Sequence, residues 1–221
     1  MSKFFLLSFD DGTVHDRRLV ELLNKYQILG TFNLNSGLED FVWTFQGHPV
    51  VRQHLEDTVE QYRGHEVASH SLTHPRLEML PPPALRREVE EDCANLKQIF
   101  GKEELGFGVP FTVCTDREIR IICKFLRYIR LSEYSDSFAL PVDPYHIPIH
   151  ALYNDPGVRE KIARFAENTL KDSLFVLAGH SYELEFLDHW EYMEELLQYI
   201  KQFDFTIVTT MEFVNRNYPT T

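Results

Sequence analysis

The chain has little that could staple it, anchor it or draw it to polyanions. Its three cysteines, Cys93, Cys114 and Cys123, are odd in number and show no C-x-x-C spacing. That excludes a disulfide framework and a zinc ribbon, and leaves reduced thiols as the expectation. Positive charge is scarce: 22 Lys and Arg stand against 34 Asp and Glu, a formal net charge of -12. No basic footprint for nucleic acid or an anionic membrane exists, so neutral, cationic or metallic ligands are favoured. No run reaches the roughly 18 apolar residues that a membrane-spanning helix requires, so membrane insertion is not expected. The opening "MSKFFLLSFDDG" meets an acidic pair too early for a secretory signal, and the expected location is the cytoplasm. Low-complexity tracts are absent too.

What is present is the composition of an ordinary globular protein, 43% hydrophobic and 25% charged over 221 residues. "KFFLLSF" is a short continuous apolar run, the pattern of a strand buried on both faces. "HDRRLVELLNKYQI" follows with Leu19, Leu22 and Leu23 at helical spacing, then "GTFNLNSG" as a second strand, completing a β-α-β unit. The alternation continues with a helix over 49–63, the strand "HEVAS", and a helix entered through Pro81–Pro83 and closed by Gly101. Strands "LGFGVP", "YIRLS", "LFVLAGH" and "FTIVTT" alternate with further helices, and residues 138–156 are irregular and Pro-rich. Such alternation without a linker predicts a single domain over 1–221, with a largely parallel sheet, closed as a barrel or open and doubly wound. In both forms reactive groups sit at the carboxyl ends of the strands.

Three strand ends carry chemistry. "SFDDG" places Asp10 and Asp11 after the first strand, "SHSLTH" places His70 and His74 after the "HEVAS" strand, and "LFVLAGH" delivers His180. Each has a plain structural reading. Asp-Gly forms turns, Ser69, Ser71 and Thr73 suit a helix start, and a lone histidine is commonly a hydrogen-bonded scaffold residue. The chemical reading is that the i,i+4 histidines, set on one helical face, bind a metal ion together with one carboxylate.

With these residues in view, the chain resembles the polysaccharide deacetylases of the NodB-homology group, carbohydrate esterase family four. That family's segments, T/S-F-D-D-G, H-S-x-T-H, R-x-P-Y-G and L-x-L-x-H, read here as "SFDDG", "HSLTH", a degenerate "GVPFT" and "VLAGH", in the same order from residue 8 to 180. The resemblance implies an α/β fold, a distorted (β/α) barrel with about seven parallel strands. It implies metal-dependent hydrolysis of an N-acetyl or O-acetyl group from a carbohydrate, here expected to be an intracellular glycan precursor. Asp11, His70 and His74 would hold a divalent ion, zinc first, with cobalt, nickel or manganese as alternatives. Asp10 would be the general base and His180 the general acid, with the Phe111 N–H stabilising the oxyanion.

The third segment departs from the pattern, because Gly108 stands where the family has an Arg that orients the catalytic Asp. Arg76 and Arg117 are the expected substitutes. The family's Asp partner for the catalytic His is not recognisable, which leaves Asp143, or Asp136, in that role. Tyr182 and Glu183, with Asn33 and Asn35 at another strand end, suggest a polar substrate pocket. Trp43, Trp190, Tyr62, Tyr145 and Tyr153 are either a sugar platform or core. The rival readings are a metal-independent cyclic amide or ureide hydrolase of the same fold and a catalytically inactive glycan-binding relative.

Overall fold

The computed structural model describes residues 2–219. In chain order the elements are β1 (Ser2–Asp10), α1 (Asp16–Lys25), β2 (Thr31–Leu34), β3 (Val42–Phe45), β4 (His48–Val51), β5 (Glu66–Ser69), α2 (Pro82–Phe100), β6 (Phe107–Gly108), α3 (Asp116–Ile122) and β7 (Ile129–Tyr134). After these come β8 (Ile147–Ile149), β9 (Ala151–Leu152), α4 (Val158–Glu167), β10 (Asp172–His180), α5 (Ser181–Phe186), α6 (Trp190–Ile200), β11 (Thr206–Ile207) and α7 (Thr210–Asn217).

The main sheet runs β8-β7-β6-β5-β2-β1-β10-β9, with every pair parallel and β11 added beside β1. Strands β8 and β9 are separated only by His150, the first pairing with β7 and the second with β10. That run therefore closes the sheet into a seven-position α/β barrel, as the resemblance implies. Residues 138–156, expected to be irregular, contain the closing strands.

Side-chain alternation explains why β1 is apolar throughout. Phe5, Leu7 and Phe9 face the outer layer of helices, while Phe4 and Leu6 face the barrel interior with Leu174, Val176 and Ala178 of β10. The interior register of β1 continues through Ser8 to Asp10, and that of β10 ends at His180, which pairs with Asp10 across the two strands. On β7 the same face carries Tyr128 just before the strand, then Arg130 and Ser132.

These bulky interior groups need room, and β6 supplies it. A Cβ on Gly106 would lie 1.9 Å from the Tyr128 ring, and one on Gly108 would lie 2.5 Å from Arg130. Gly106, just before β6, and Gly108, within it, thus accept the large side chains of Tyr128, just before β7, and of Arg130.

The expected helix over 49–63 is corrected. Its first residues belong to the antiparallel hairpin β3–β4, followed by a 3-10 turn at Leu55–Thr58. The antiparallel pairing of Val42 with Val51 and Phe45 with His48 fixes these residues as strand rather than helix. Among the described residues no helix is long and apolar enough to cross a membrane.

Candidate active site

At the carboxyl end of the barrel a cavity of about 320 Å³ gathers Asp10, Asp11, His70, His74, Arg130 and His180, with Val109, Ile149, Leu152 and Ala178 as apolar wall. Phe111, Tyr134 and Tyr182 also line it. Every residue of the sequence-derived set Asp10, Asp11, His70, His74 and His180 is brought together.

Asp10 is buried at the end of β1, and its Oδ1 accepts from Asn33 Nδ2 (2.7 Å) and from Arg130. Both bonds fall on one oxygen, which leaves Oδ2 free to take a proton. The missing arginine is therefore supplied by β7, the strand paired with β6, through the space that Gly108 leaves open. Neither expected substitute does this. Arg117 binds Glu118 and the Leu77 and Leu80 carbonyls, and Arg76 lies over the Phe111 ring at 4.6 Å.

Asp11 turns the other way because its backbone is left-handed, with φ of 90°. Its carboxylate meets His74 Nε2 at 3.5 Å and His70 Nε2 at 4.0 Å. The histidines are not on a helix. They lie on a loop in which Ser71 and His74 also have positive φ, and in which Asn35 Nδ2 donates to the carbonyls of His70 and Ser71. Phe111, at φ 58°, shares this left-handed backbone, and such residues cost energy that the surrounding bonds must offset. Asn33 and Asn35, expected to shape a polar substrate pocket, instead fix Asp10 and the histidine loop.

The donor set fits a divalent ion. Asp11, His70 and His74 each offer a ligand atom within 4.8 Å of the others, the single such group among the described residues. His70 Nδ1 lies 2.7 Å from the Gly108 carbonyl, which can only accept, so Nδ1 carries the hydrogen and Nε2 presents its lone pair to the site. Burial holds both imidazoles below the ordinary histidine range, His70 well below it, and so keeps them neutral as ligands must be. Burial would raise the Asp11 carboxyl, but the charges of Arg52 and then His180 outweigh it and hold it below its usual value.

His180 is governed by Glu183. Burial alone would push the imidazole down, yet Glu183 and the two aspartates raise it to about 9. Nδ1 lies 3.4 Å from Glu183 Oε1, and this contact, which a proton on Nδ1 satisfies, is the largest of the attractions that raise the imidazole. Glu183 reaches His180 because it stands three residues on, in the first turn of α5. Asp143 and Asp136 are elsewhere. The former accepts from Tyr145 N (2.7 Å) and contacts His146, and the latter pairs with Lys161 at 2.9 Å.

Tyr182 packs against Trp43 and Phe45 of the β3–β4 hairpin, and Phe111 stands 42% exposed with its ring on His74. Trp190, Tyr62 and Tyr153 are buried in the core. Behind the site, Asp16 accepts from Tyr62 Oη (2.7 Å) and Ser181 Oγ, and Asp92 accepts from Ser36 and Ser69. Burial pushes Asp16 up to about 7 and Asp92 up to about 6, against the hydrogen bonds that favour their ionised forms.

Arg130 had a readable signal, the alternate glycines of "GFG" opposite "YIR". Arg52 and Asp16 had none.

The family model for polysaccharide deacetylase matches residues 2–126, more than half of the chain. No curated protein sequence matches. Among solved structures, the Xyl-CE4 domain of a multidomain xylanase from the hindgut metagenome of Trinervitermes trinervoides is similar at 19% identity and TM-score 0.65, over 98% of this chain and 91% of that one. The chitin deacetylase of Colletotrichum lindemuthianum is similar at 17% identity and TM-score 0.65, over 96% and 87%. A family 4 acetyl xylan esterase from Clostridium thermocellum, solved with a cobalt ion, shares 18% identity at TM-score 0.61, over 96% and 91%. At these identities the likeness is one of fold.

Proposed function

Because the chain belongs to the polysaccharide deacetylase family, we propose that it hydrolyses an acetyl group, N- or O-linked, from a carbohydrate, with a divalent metal ion held by Asp11, His70 and His74. The observation that carries this reading is the convergence of that ligand set with Asp10 and His180 in one cavity. The two imidazoles and one carboxylate suit zinc first, while cobalt, nickel and manganese fit the same nitrogen and oxygen donors. Such an ion supplies Lewis acidity to a carbonyl oxygen and acidifies water.

The residues of the chain do the rest. Asp10 Oδ2 takes a proton from the attacking water, whose oxygen bonds to the acetyl carbon. Arg130 and Asn33 hold the opposite oxygen of Asp10, so the base is oriented and its charge balanced. The Phe111 N–H, at the cavity mouth, is the oxyanion donor in this reading. His180, which Glu183 and the aspartates favour in its charged form, gives its proton to the departing nitrogen or oxygen as the bond to carbon breaks. Val109, Ile149, Leu152 and Ala178 offer an apolar surface to the acetyl methyl.

Division of labour between the adjacent carboxylates tests this account. Asp10→Asn should keep metal affinity nearly intact while acetate release falls by ~100-fold or more. Asp11→Asn should lose the metal itself. Equal loss of metal in both variants would show joint ligation and contradict the roles given.

A further inference from the structure

Asp11 is the only carboxylate of the proposed ligand set, and it is already engaged by a buried cation. Arg52 enters the barrel end just after β4, where an antiparallel bridge joins it to Thr13. Its Nη2 bonds Asp11 Oδ1 at 2.7 Å, and its Nη1 donates to the Asp11 carbonyl and to Asn35 Oδ1. Oδ1 is also the oxygen that faces His70 and His74.

This guanidinium is not free to swing away. Its side chain is 5% exposed and that of Asp11 6%. The Trp43 ring of the β3–β4 hairpin lies over it at 4.9 Å, and its Nε is buried with no hydrogen-bond partner, a cost accepted to keep the charge in place. Arginine cannot shed its proton in a protein, so the charge is permanent.

The site is consequently balanced before any metal arrives, with Arg130 against Asp10 and Arg52 against Asp11. A divalent ion binding to Asp11 shares its oxygen with a fixed positive charge and meets repulsion that an unpaired carboxylate would not impose. A ligand oxygen that already accepts from Arg52 also gives less electron density to an ion, which would keep that ion more acidic.

We propose that Arg52 is a positioning residue that sets metal affinity low, so that the centre exchanges its ion reversibly rather than holding it permanently. The inference rests on the metal-centre reading above and concerns this chain's own device for tuning it.

Calorimetric titration of chelator-stripped protein with Co2+ and Zn2+ tests it without reference to activity. Arg52→Gln keeps an amide donor and loses the charge, and should bind Co2+ at least ~10-fold more tightly than the wild type. Arg52→Lys keeps the charge but not the fork, and should bind Co2+ more weakly than Arg52→Gln; affinity equal to that of Arg52→Gln would show that the charge is not what lowers it and overturn the proposal. Equal or weaker binding by a folded Arg52→Gln, verified by circular dichroism, would overturn the proposal and leave Arg52 a scaffold residue only. The wild type gives an independent readout should the variants not fold. Structural zinc sites hold their ion at roughly 50 nM or tighter, so a wild-type Kd at or below that contradicts a low-affinity centre and a weaker one supports it. If neither wild type nor any folded variant takes up metal, the metal centre itself falls, and this inference with it.

Discussion

At the scale of single residues, the site works by placing charges on chosen oxygens. Asp10 has lost the arginine of the preceding strand and gained Arg130 of the next, a substitution possible because Gly108 carries no side chain. Returning the family's residue is therefore not a simple repair: Gly108→Arg would place a Cβ 2.5 Å from Arg130 and 2.6 Å from Asn33. That variant alone should lose activity. Arg130→Met should lower turnover by ~100-fold and cost about 3 kcal/mol of stability, because a buried carboxylate is left unpaired. Denaturant melts with steady-state kinetics read both, and turnover within threefold of wild type would sink the assignment. The second residue-scale prediction concerns Glu183. A raised histidine is charged below its pKa and neutral above it, so the acid is available up to about pH 9 and lost beyond. A cation bound at Asp11 offsets that aspartate's share of the shift, placing the basic limb of the rate profile at or below that value. Glu183→Gln removes the leading source of the rise and should move the limb to lower pH. An unmoved limb in a folded variant would show that Glu183 does not govern His180.

Among the elements, the strands that end at the candidate site were readable and the pieces that brace them were not. The apolar run of β1 and the "LFVLAGH" strand announce burial on both faces, and the reactive groups fall at their ends by the pleat's own alternation. The β3–β4 hairpin was hidden because apolar residues fall on both faces of β3, exposed Val42 beside half-buried Trp43 and Phe45, so no clean apolar-polar period stands out in the sequence. Arg52 rides on that hairpin and shares its obscurity, since no local pattern marks a residue whose partner is 41 positions away. Asp16 is similar, joining α1 to Tyr62 and, through Ser181, to the start of α5 beside His180. Its folded pKa near 7 lies above the unfolded value of about 3.9, so the folded state binds more protons in between. The stability from this group is complete below about pH 4 and lost as pH rises through about 7, a swing on the order of a few kcal/mol. Urea denaturation across that range should show a steeper decline in the wild type than in Asp16→Asn. Parallel profiles would mean that Asp16 is not titrating in the fold.

For the whole molecule, the family and the barrel were legible because three ordered motifs sit at strand ends, whereas the ion partners of Asp10, Asp11 and His180 depend on which strands the closed barrel makes neighbours. Closure through β8 and β9 brings β7 round to β1's face, and with it the side chain that no alignment of motifs would pair with Asp10. Metal binding should couple to global stability. At a zinc concentration 100-fold above Kd the folded state gains about 2.7 kcal/mol, which for a chain of this size raises Tm by roughly 5–10 °C. His74→Ala should show no such shift, and an equal shift in that variant would place the ion elsewhere. The central claim is that this cavity removes acetyl groups from carbohydrate by metal-dependent hydrolysis. The measurement that tests it most directly is acetate release from a panel of N- and O-acetylated oligosaccharides by chelator-stripped protein, before and after zinc or cobalt is returned. The account predicts no release from the stripped protein, release restored at about one ion per chain, and no restoration in Asp11→Asn or His74→Ala. Release that persists after complete metal removal, or that returns equally in those two variants, would contradict it.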